Sequence, residues 1–150
     1  MDKELLFNLD RVPIDQKDIW KNQFIEKFFT TNCEYYKNYA NVGDGYYLWC
    51  CFKRQGQIYT FSVDEFGSVI DRMNAKDVFL FWDHHIIPEI MDLGRNEMFT
   101  CSKQFLTDNL SAFPLDFYVF DQTLKWTIIM THEYQNETAD GDNGFVIKLE

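Results

Sequence analysis

The apolar residues of the first part of the chain follow a helical period. From Asp15 to Thr31 they recur every three or four positions, and Asp15 fits the N-cap position. The apolar stripe consists of Ile19, Trp20, Phe24, Ile25, Phe28 and Phe29. The spacing predicts an amphipathic helix that packs on a core. A shorter helix is predicted from Lys3 to Asp10, and it ends before Pro13 because the residue ahead of a proline avoids the helical region.

The middle of the chain carries strand and short-helix patterns. Tyr46 to Phe52 is a continuous apolar run and Ile58 to Val63 alternates, with residues 53–57 between them. This pattern predicts a hairpin whose first strand is buried on both faces. Asp64-Glu65 is expected to cap a short helix that runs to Met73, and the apolar run from Asp77 to Asp83 favours a strand over a helical turn.

Helix and strand signals alternate through the last third of the chain. Pro88 to Leu93 predicts one helical segment, and Ser102 caps a helix that extends to Asn109. Three further strands are predicted, from Phe117 to Phe120, from Lys125 to about Tyr134, and from Phe145 to Leu149. The alternation within the second of them places four residues on one face, namely Trp126, Ile128, Met130 and His132.

No repeat, low-complexity tract or linker divides these elements. Together they predict one α+β domain over residues 1–150, with a largely antiparallel sheet and N-terminal and central helices packed on it. Hydrophobic residues make up 46% of the chain and aromatic residues 18%, which is enough to form a core despite the charge.

The formal net charge of −10 restricts the class of partner. The chain has 24 acidic residues against 14 lysines and arginines, and affinity for nucleic acid comes mostly from lysine and arginine. Binding to nucleic acid is therefore not expected. A surplus of negative charge instead favours the capture of cationic molecules, of which basic proteins are the obvious class.

The cellular compartment is predicted from two absent features, a secretory signal at the amino terminus and a CxxC spacing of the cysteines. The segment Met1 to Asp10 has acids where a secretory signal needs basic residues, and no apolar run approaches the roughly 20 residues of a membrane helix. The four cysteines show no CxxC spacing. A cytoplasmic protein with reduced thiols and no membrane association is the expectation.

Metal chemistry is the first catalytic hypothesis. Asp83-His84-His85 follows an apolar strand and resembles the name-giving motif of a metal-dependent phosphoesterase family. Those enzymes gather further Asp and His ligands for two metals, whereas this chain has one other histidine, His132, and no Asp-x-Asp pair ahead of the motif. We therefore predict ordinary residues at a strand end, with no metal and no cofactor.

Two further catalytic hypotheses are weaker than their structural alternatives. His132 beside Glu133 suggests a general base, but its face is shared with apolar residues, where a hydrogen-bonded, partly buried histidine is more common. Cys50 and Cys51 lie in a run too apolar to lower the pKa of a thiol, which predicts two core residues. The expectation is a protein without catalytic residues.

An acidic loop near the carboxyl end is the best candidate for a binding surface. Its acids occur with no lysine or arginine among them, and Tyr134 lies beside them; the candidate partner-binding set is Glu133, Tyr134, Glu137, Asp140 and Asp142. An EF-hand is excluded because the twelfth position of a loop that starts at Asp140 falls beyond Glu150. A solvated loop and a contact surface both remain open, and tyrosine within a charged rim favours contact.

One segment carries a resemblance to known proteins. Phe117 to Glu133, with its Phe-Asp, Trp-Thr and Thr-His-Glu pattern, resembles a motif near the carboxyl end of small bacterial proteins, several of them associated with toxin immunity. The resemblance implies a cytoplasmic inhibitor that binds a basic toxin domain, of which a nuclease is one candidate. It implies no catalytic residues. The alternatives are a phosphoesterase-like enzyme that uses Asp83, His84 and His85, and a structural or regulatory adaptor. The oligomeric state stays open.

Overall fold

One antiparallel sheet collects strands from nearly the whole length of the chain. A computed structural model describes residues 8–40, 48–82, 97–114, 116–131 and 144–149. Within them seven strands form a sheet in the order β1-β4-β3-β5-β6-β7-β2, and every neighbouring pair is antiparallel. The strands are β1 (Asp10–Arg11), β2 (Gln57–Phe61), β3 (Asp77–Trp82), β4 (Phe99–Ser102), β5 (Phe117–Phe120), β6 (Trp126–Met130) and β7 (Gly144–Lys148). The predicted α+β class is confirmed.

Helices cover both faces of this sheet. Helix α1 (Ile14–Phe28) packs on one face, where Phe24 and Phe28 meet Phe81 and Tyr118 in one buried cluster. Helices α2 (Phe66–Asp71) and α3 (Lys103–Asp108) pack on the other face. Every residue of β5 and β6 is consequently buried, and apart from Thr127 their side chains are apolar or aromatic. The predicted face of β6 is confirmed, since Trp126, Ile128 and Met130 belong to the same cluster.

Helix α1 differs from its prediction at both ends. Pro13 is the N-cap and Asp15 lies in the first turn, while Phe29 is extended and buried beyond the last helical residue. Ile19, predicted to face the core, is 57% exposed. At 100° per residue, Ile19 points away from the line through Trp20, Phe24 and Phe28 that meets the sheet.

The predicted hairpin between Tyr46 and Val63 is wrong. Leu48–Cys51 forms a 3₁₀ turn, in which Leu48 and Cys51 are buried at a spacing of three residues while Cys50 is exposed. A short apolar run does not distinguish a strand from a helical turn by its period alone. Strand β2 therefore pairs with β7, and the prediction that Cys50 is a core residue is corrected.

The short helices have the predicted positions but not all the predicted caps. A 3₁₀ turn, Val63–Glu65, precedes α2, and Ser62 with Glu65 forms the capping box in place of Asp64-Glu65. The Ser62 backbone amide donates to Glu65 Oε2 at 2.8 Å, and this bond lowers the pKa of the Glu65 carboxyl. Ser102 caps α3 as predicted, accepting a hydrogen bond from the Phe105 amide at 3.1 Å.

Other predicted elements also fall wholly or partly outside the described residues. They are the helix from Lys3 to Asp10, of which Asp10 belongs to β1 instead, the helix from Pro88 to Leu93, and the part of the β6 segment beyond Thr131. A single-turn π-helix, Tyr36–Ala40, was not predicted. None of the helices that the structure describes is both long and apolar enough to cross a bilayer.

Candidate functional site

The candidate residues from the sequence all belong to two connections between strands. They lie outside the described ranges, so their geometry is not given; they are Asp83, His84 and His85, which follow β3, and His132, Glu133, Tyr134, Glu137, Asp140 and Asp142, which follow β6. The described strands nevertheless fix where these connections leave and rejoin the sheet.

Both connections leave and rejoin the sheet at the same end. Trp82, the last residue of β3, pairs with Phe117, and Phe117 pairs with Met130, the last residue of β6. Met130 in turn pairs with Gly144, the first residue of β7. Gly144 also pairs with Phe61, the last residue of β2. We call this end of the sheet the acidic end, because the connections that attach to it are rich in acidic residues by sequence.

The connections at the two ends of the sheet differ in the charged residues of their sequences. Asp64 and Glu65, directly after β2, are exposed at the acidic end. The connections 83–96 and 132–143 add seven acidic residues and one arginine by sequence. At the opposite end, Lys148 pairs with both Gln57 and Trp126. Most charged residues in or next to the strand termini there are basic, namely Lys53, Arg54, Lys76, Lys103, Lys125 and Lys148, and Asp77 and Asp121 also lie there.

The described part of the chain is almost neutral on its own. Its thirteen acidic side chains are nearly matched by twelve lysines and arginines. Nine of the ten net negative charges therefore belong by sequence to the other segments, six of them to residues 83–96 and 132–143. Most of the net negative charge of the protein thus belongs to two connections that leave and rejoin the sheet at one end.

A cleft of about 410 Å³ opens at the opposite end of the sheet. Its lining includes the charged residues Lys76, Asp77 and Asp121. Asp121 is already committed to local structure, because its Oδ1 accepts from the Thr123 amide at 2.9 Å and from the Thr123 hydroxyl at 2.5 Å. This carboxylate fixes the turn between β5 and β6.

A second cleft, of about 600 Å³, lies beside the end of α1. Tyr36 and Lys53 line it, and burial, with a smaller effect from Cys51, raises the pKa of the Tyr36 hydroxyl. The Lys53 ammonium donates to the Glu26 carbonyl oxygen near the end of α1. Across the described ranges, no three His, Cys, Asp or Glu side chains lie close enough to hold a metal ion.

The four cysteines, all within the described ranges, are reduced, as predicted. Cys33 Sγ lies 3.8 Å from Cys51 Sγ and 3.2 Å from the Thr30 carbonyl oxygen. Cys101 is buried in β4, and burial, with a smaller effect from Asp77, raises the pKa of its thiol to about 12. A thiol with a raised pKa is a poor nucleophile, so Cys101 serves as a core residue.

Cys101 makes the stability of the fold dependent on pH above neutrality. In the unfolded chain the thiol ionises with the ordinary pKa of 9.0, but in the folded protein it keeps its proton up to about 12. Its contribution is complete below 9.0 and is lost as the pH rises toward 12. We expect the wild type to lose roughly 1 kcal/mol more than Cys101→Ala between neutral pH and about pH 10. Urea unfolding of both proteins measures this difference, and parallel pH profiles would contradict it.

The sequence analysis missed one exposed surface. Strand β2 is the last strand on its side of the sheet, and Ile58 and Tyr59 are 38% and 37% exposed. The hairpin prediction paired β2 with the segment from Tyr46 to Phe52, so the sequence did not indicate an exposed edge here. The signal that could have revealed it is the uncharged run from Gln57 to Phe61.

The described residues form an α+β domain with one antiparallel sheet, and two connections that are acid-rich by sequence attach at one end of it. Comparison of the chain with family models, curated proteins and solved structures found no match.

Proposed function

We propose that this protein is an immunity-type inhibitor that binds a basic toxin domain through the acidic end of its sheet. One observation supports this proposal above the others: the acid-rich connections 83–96 and 132–143 leave and rejoin the sheet at the same end. Acidic groups at one end of the sheet raise the encounter rate with a cationic surface and also orient that surface. The same charges spread evenly over the protein would not orient the partner.

The rest of the molecule is suited to the role of a rigid support. Strands β5 and β6, which lie between the two acidic connections, are buried along their whole length. The Tyr118 hydroxyl on β5 accepts a hydrogen bond from the Trp49 backbone amide at 2.9 Å. This bond ties the sheet to the 3₁₀ turn. A preorganised support lowers the cost of binding.

The partner-binding residues of this proposal are those of the connection after β6. Glu133, Glu137, Asp140 and Asp142 supply long-range attraction, which sets the association rate and its dependence on salt. Tyr134 supplies contact area, and aromatic anchors of this kind slow dissociation. The resemblance of Phe117 to Glu133 to proteins associated with toxin immunity supports the same assignment.

The test begins with the product of the gene immediately upstream of the one that encodes this chain. Co-expression is expected to give a stable complex and to relieve toxicity. The variant Glu133→Gln/Glu137→Gln/Asp140→Asn/Asp142→Asn is expected to slow association at low salt by at least about tenfold and to flatten its salt dependence. Stopped-flow or surface plasmon resonance measurements at several salt concentrations report both effects.

A matched control separates local charge from net charge. The variant Glu26→Gln/Glu34→Gln/Asp71→Asn/Asp77→Asn removes the same four charges from exposed positions away from the acidic end. Its association rate is expected to stay within about twofold of the wild type. Equal losses in both variants would contradict a localised site. The absence of both complex and rescue would overturn the inhibitor function, and binding to a non-toxic basic protein would favour the adaptor.

A further inference from the structure

The two edges of the sheet are protected unequally. Strand β1 is only two residues long, and both of them, Asp10 and Arg11, are charged. Short length and charge are the usual means by which proteins prevent an edge strand from pairing with another chain. Strand β2 has neither protection, because its five residues, Gln57–Phe61, include no charge and no proline.

The side chains of β2 are suited to pairing. Four of its five residues are exposed, and the strand is rich in β-branched and aromatic residues. Tyr59 pairs with Val146 on the face covered by α2, and Ile58 pairs with Ile147 on the face covered by α1. An additional strand beside β2 would extend both faces and cover Ile58 and Tyr59, which are 38% and 37% exposed.

We infer that the occupant of this edge is a second copy of the chain, which pairs through β2 in antiparallel fashion across a two-fold axis at Tyr59. In this arrangement each Tyr59 faces its own equivalent, and Ile58 faces Thr60 of the second copy. Aromatic pairs directly opposite each other are among the more favourable cross-strand contacts. The seven strands of each copy then form one continuous sheet.

The polarity of the sheet specifies this orientation. Exposed Arg54 precedes β2 and exposed Asp64 follows it, each five residues from Tyr59. Antiparallel pairing brings Arg54 of one copy toward Asp64 of the other, and it sets the acidic end of one sheet beside the basic residues of its neighbour. A parallel arrangement would place like charges together. The acidic ends of the two copies point in opposite directions, so both stay accessible.

The first experiment compares an edge variant with a matched control on the intact protein. Ile58→Lys/Tyr59→Lys is expected to lower the dimer association constant at least tenfold in sedimentation equilibrium. Ile14→Lys/Ile19→Lys makes the same chemical change at the other two exposed large hydrophobic residues of the described chain, on α1, and is expected to leave dimerisation unchanged. Circular dichroism melting verifies that both variants fold.

The second experiment tests the orientation by charge exchange. Arg54→Asp alone and Asp64→Arg alone are each expected to weaken self-association, because each creates two like-charge contacts per dimer. An equimolar mixture of these two variants is expected to recover the dimer, since both contacts in the mixed pair are then opposite in charge. Failure of the mixture to recover would exclude the two-fold arrangement.

A third measurement locates the axis by cross-linking. In a Cys50→Ser background, Tyr59→Cys is expected to form an intermolecular disulfide with oxidised glutathione, because residues on the axis of an antiparallel pair lie within disulfide reach. Gln57→Cys faces Phe61 of the second copy and is expected not to cross-link. A wild type that is monomeric at its highest soluble concentration would overturn the inference. A monomer whose edge variants instead lose toxin binding would assign the edge to the toxin.

Discussion

Replacement of Phe24 by alanine is expected to lower the free energy of unfolding by about 3–5 kcal/mol, the largest loss from any single truncation proposed for this chain. Phe24 is fully buried in α1. Its ring centroid lies within 4.5 to 6.0 Å of five other aromatic rings, those of Phe28, Phe29, Phe81, Tyr118 and Phe120. The truncation removes the contact between α1 and the centre of the sheet and leaves a cavity that those rigid rings cannot fill.

The measurement is urea-induced unfolding followed by tryptophan fluorescence. A domain of this length has a total stability of about 5–15 kcal/mol, so the loss is expected to lower the melting temperature by roughly 10 °C. Ile19→Ala on the same helix is the control, because Ile19 is 57% exposed and its truncation is expected to cost under about 0.5 kcal/mol. Equal losses in the two variants would show that the aromatic cluster does not hold α1 on the sheet.

The parts of the fold that the sequence predicts well are those that a local rule determines. The face of β6 that carries Trp126, Ile128 and Met130 follows from the alternation of side chains along a strand, and the cap of α3 follows from a single serine, Ser102. In both places the local pattern and the tertiary packing agree. Such consistency is what makes a local prediction reliable.

The prediction failed where the apolar content of a segment conceals its period. Between Leu48 and Phe52 all residues are apolar or aromatic, so the three-residue spacing of buried Leu48 and Cys51 does not stand out. The error then spread, because a false strand at Tyr46 to Phe52 supplied β2 with a wrong neighbour. The true neighbour, β7, lies more than 80 residues further along the chain, and no local pattern encodes such a pairing.

The candidate site illustrates the same division between local and long-range information. The sequence alone identifies the acid-rich run that starts at Glu133. It does not show that the connection after Trp82 leaves the same end of the sheet, because that relation depends on the register of β3 with β5 and of β5 with β6. Two acidic segments 50 residues apart thereby become candidates for one surface.

Gly56, the residue before β2, bears on both the dimer edge and the stability of the sheet. Gly56 has φ of 65°, a left-handed conformation that costs other residues roughly 1–2 kcal/mol. A Cβ at this position would lie 2.3 Å from the Lys148 carbonyl oxygen, a backbone atom of the neighbouring strand β7. Neither problem is relieved by a side-chain rotation, because both involve the backbone.

Gly56→Ala is therefore expected to lower the free energy of unfolding by about 2–4 kcal/mol and to displace the start of β2 from β7. Gly67→Ala is the matched control, because its Cβ would meet only one side-chain atom, Thr107 Cγ2, at 3.1 Å. Alanine also has the higher helix propensity, so a net change under about 1 kcal/mol is expected. Urea unfolding measures the two losses, and sedimentation measures whether Gly56→Ala also weakens self-association.

Because Gln57 is aligned with Lys148 directly beside this glycine, a shift of β2 disturbs the edge strand through which the second copy pairs. A Gly56→Ala protein as stable as the control would contradict the close approach of β2 to β7, while a destabilised protein that still dimerises at the wild-type affinity would place the dimer contact away from this edge.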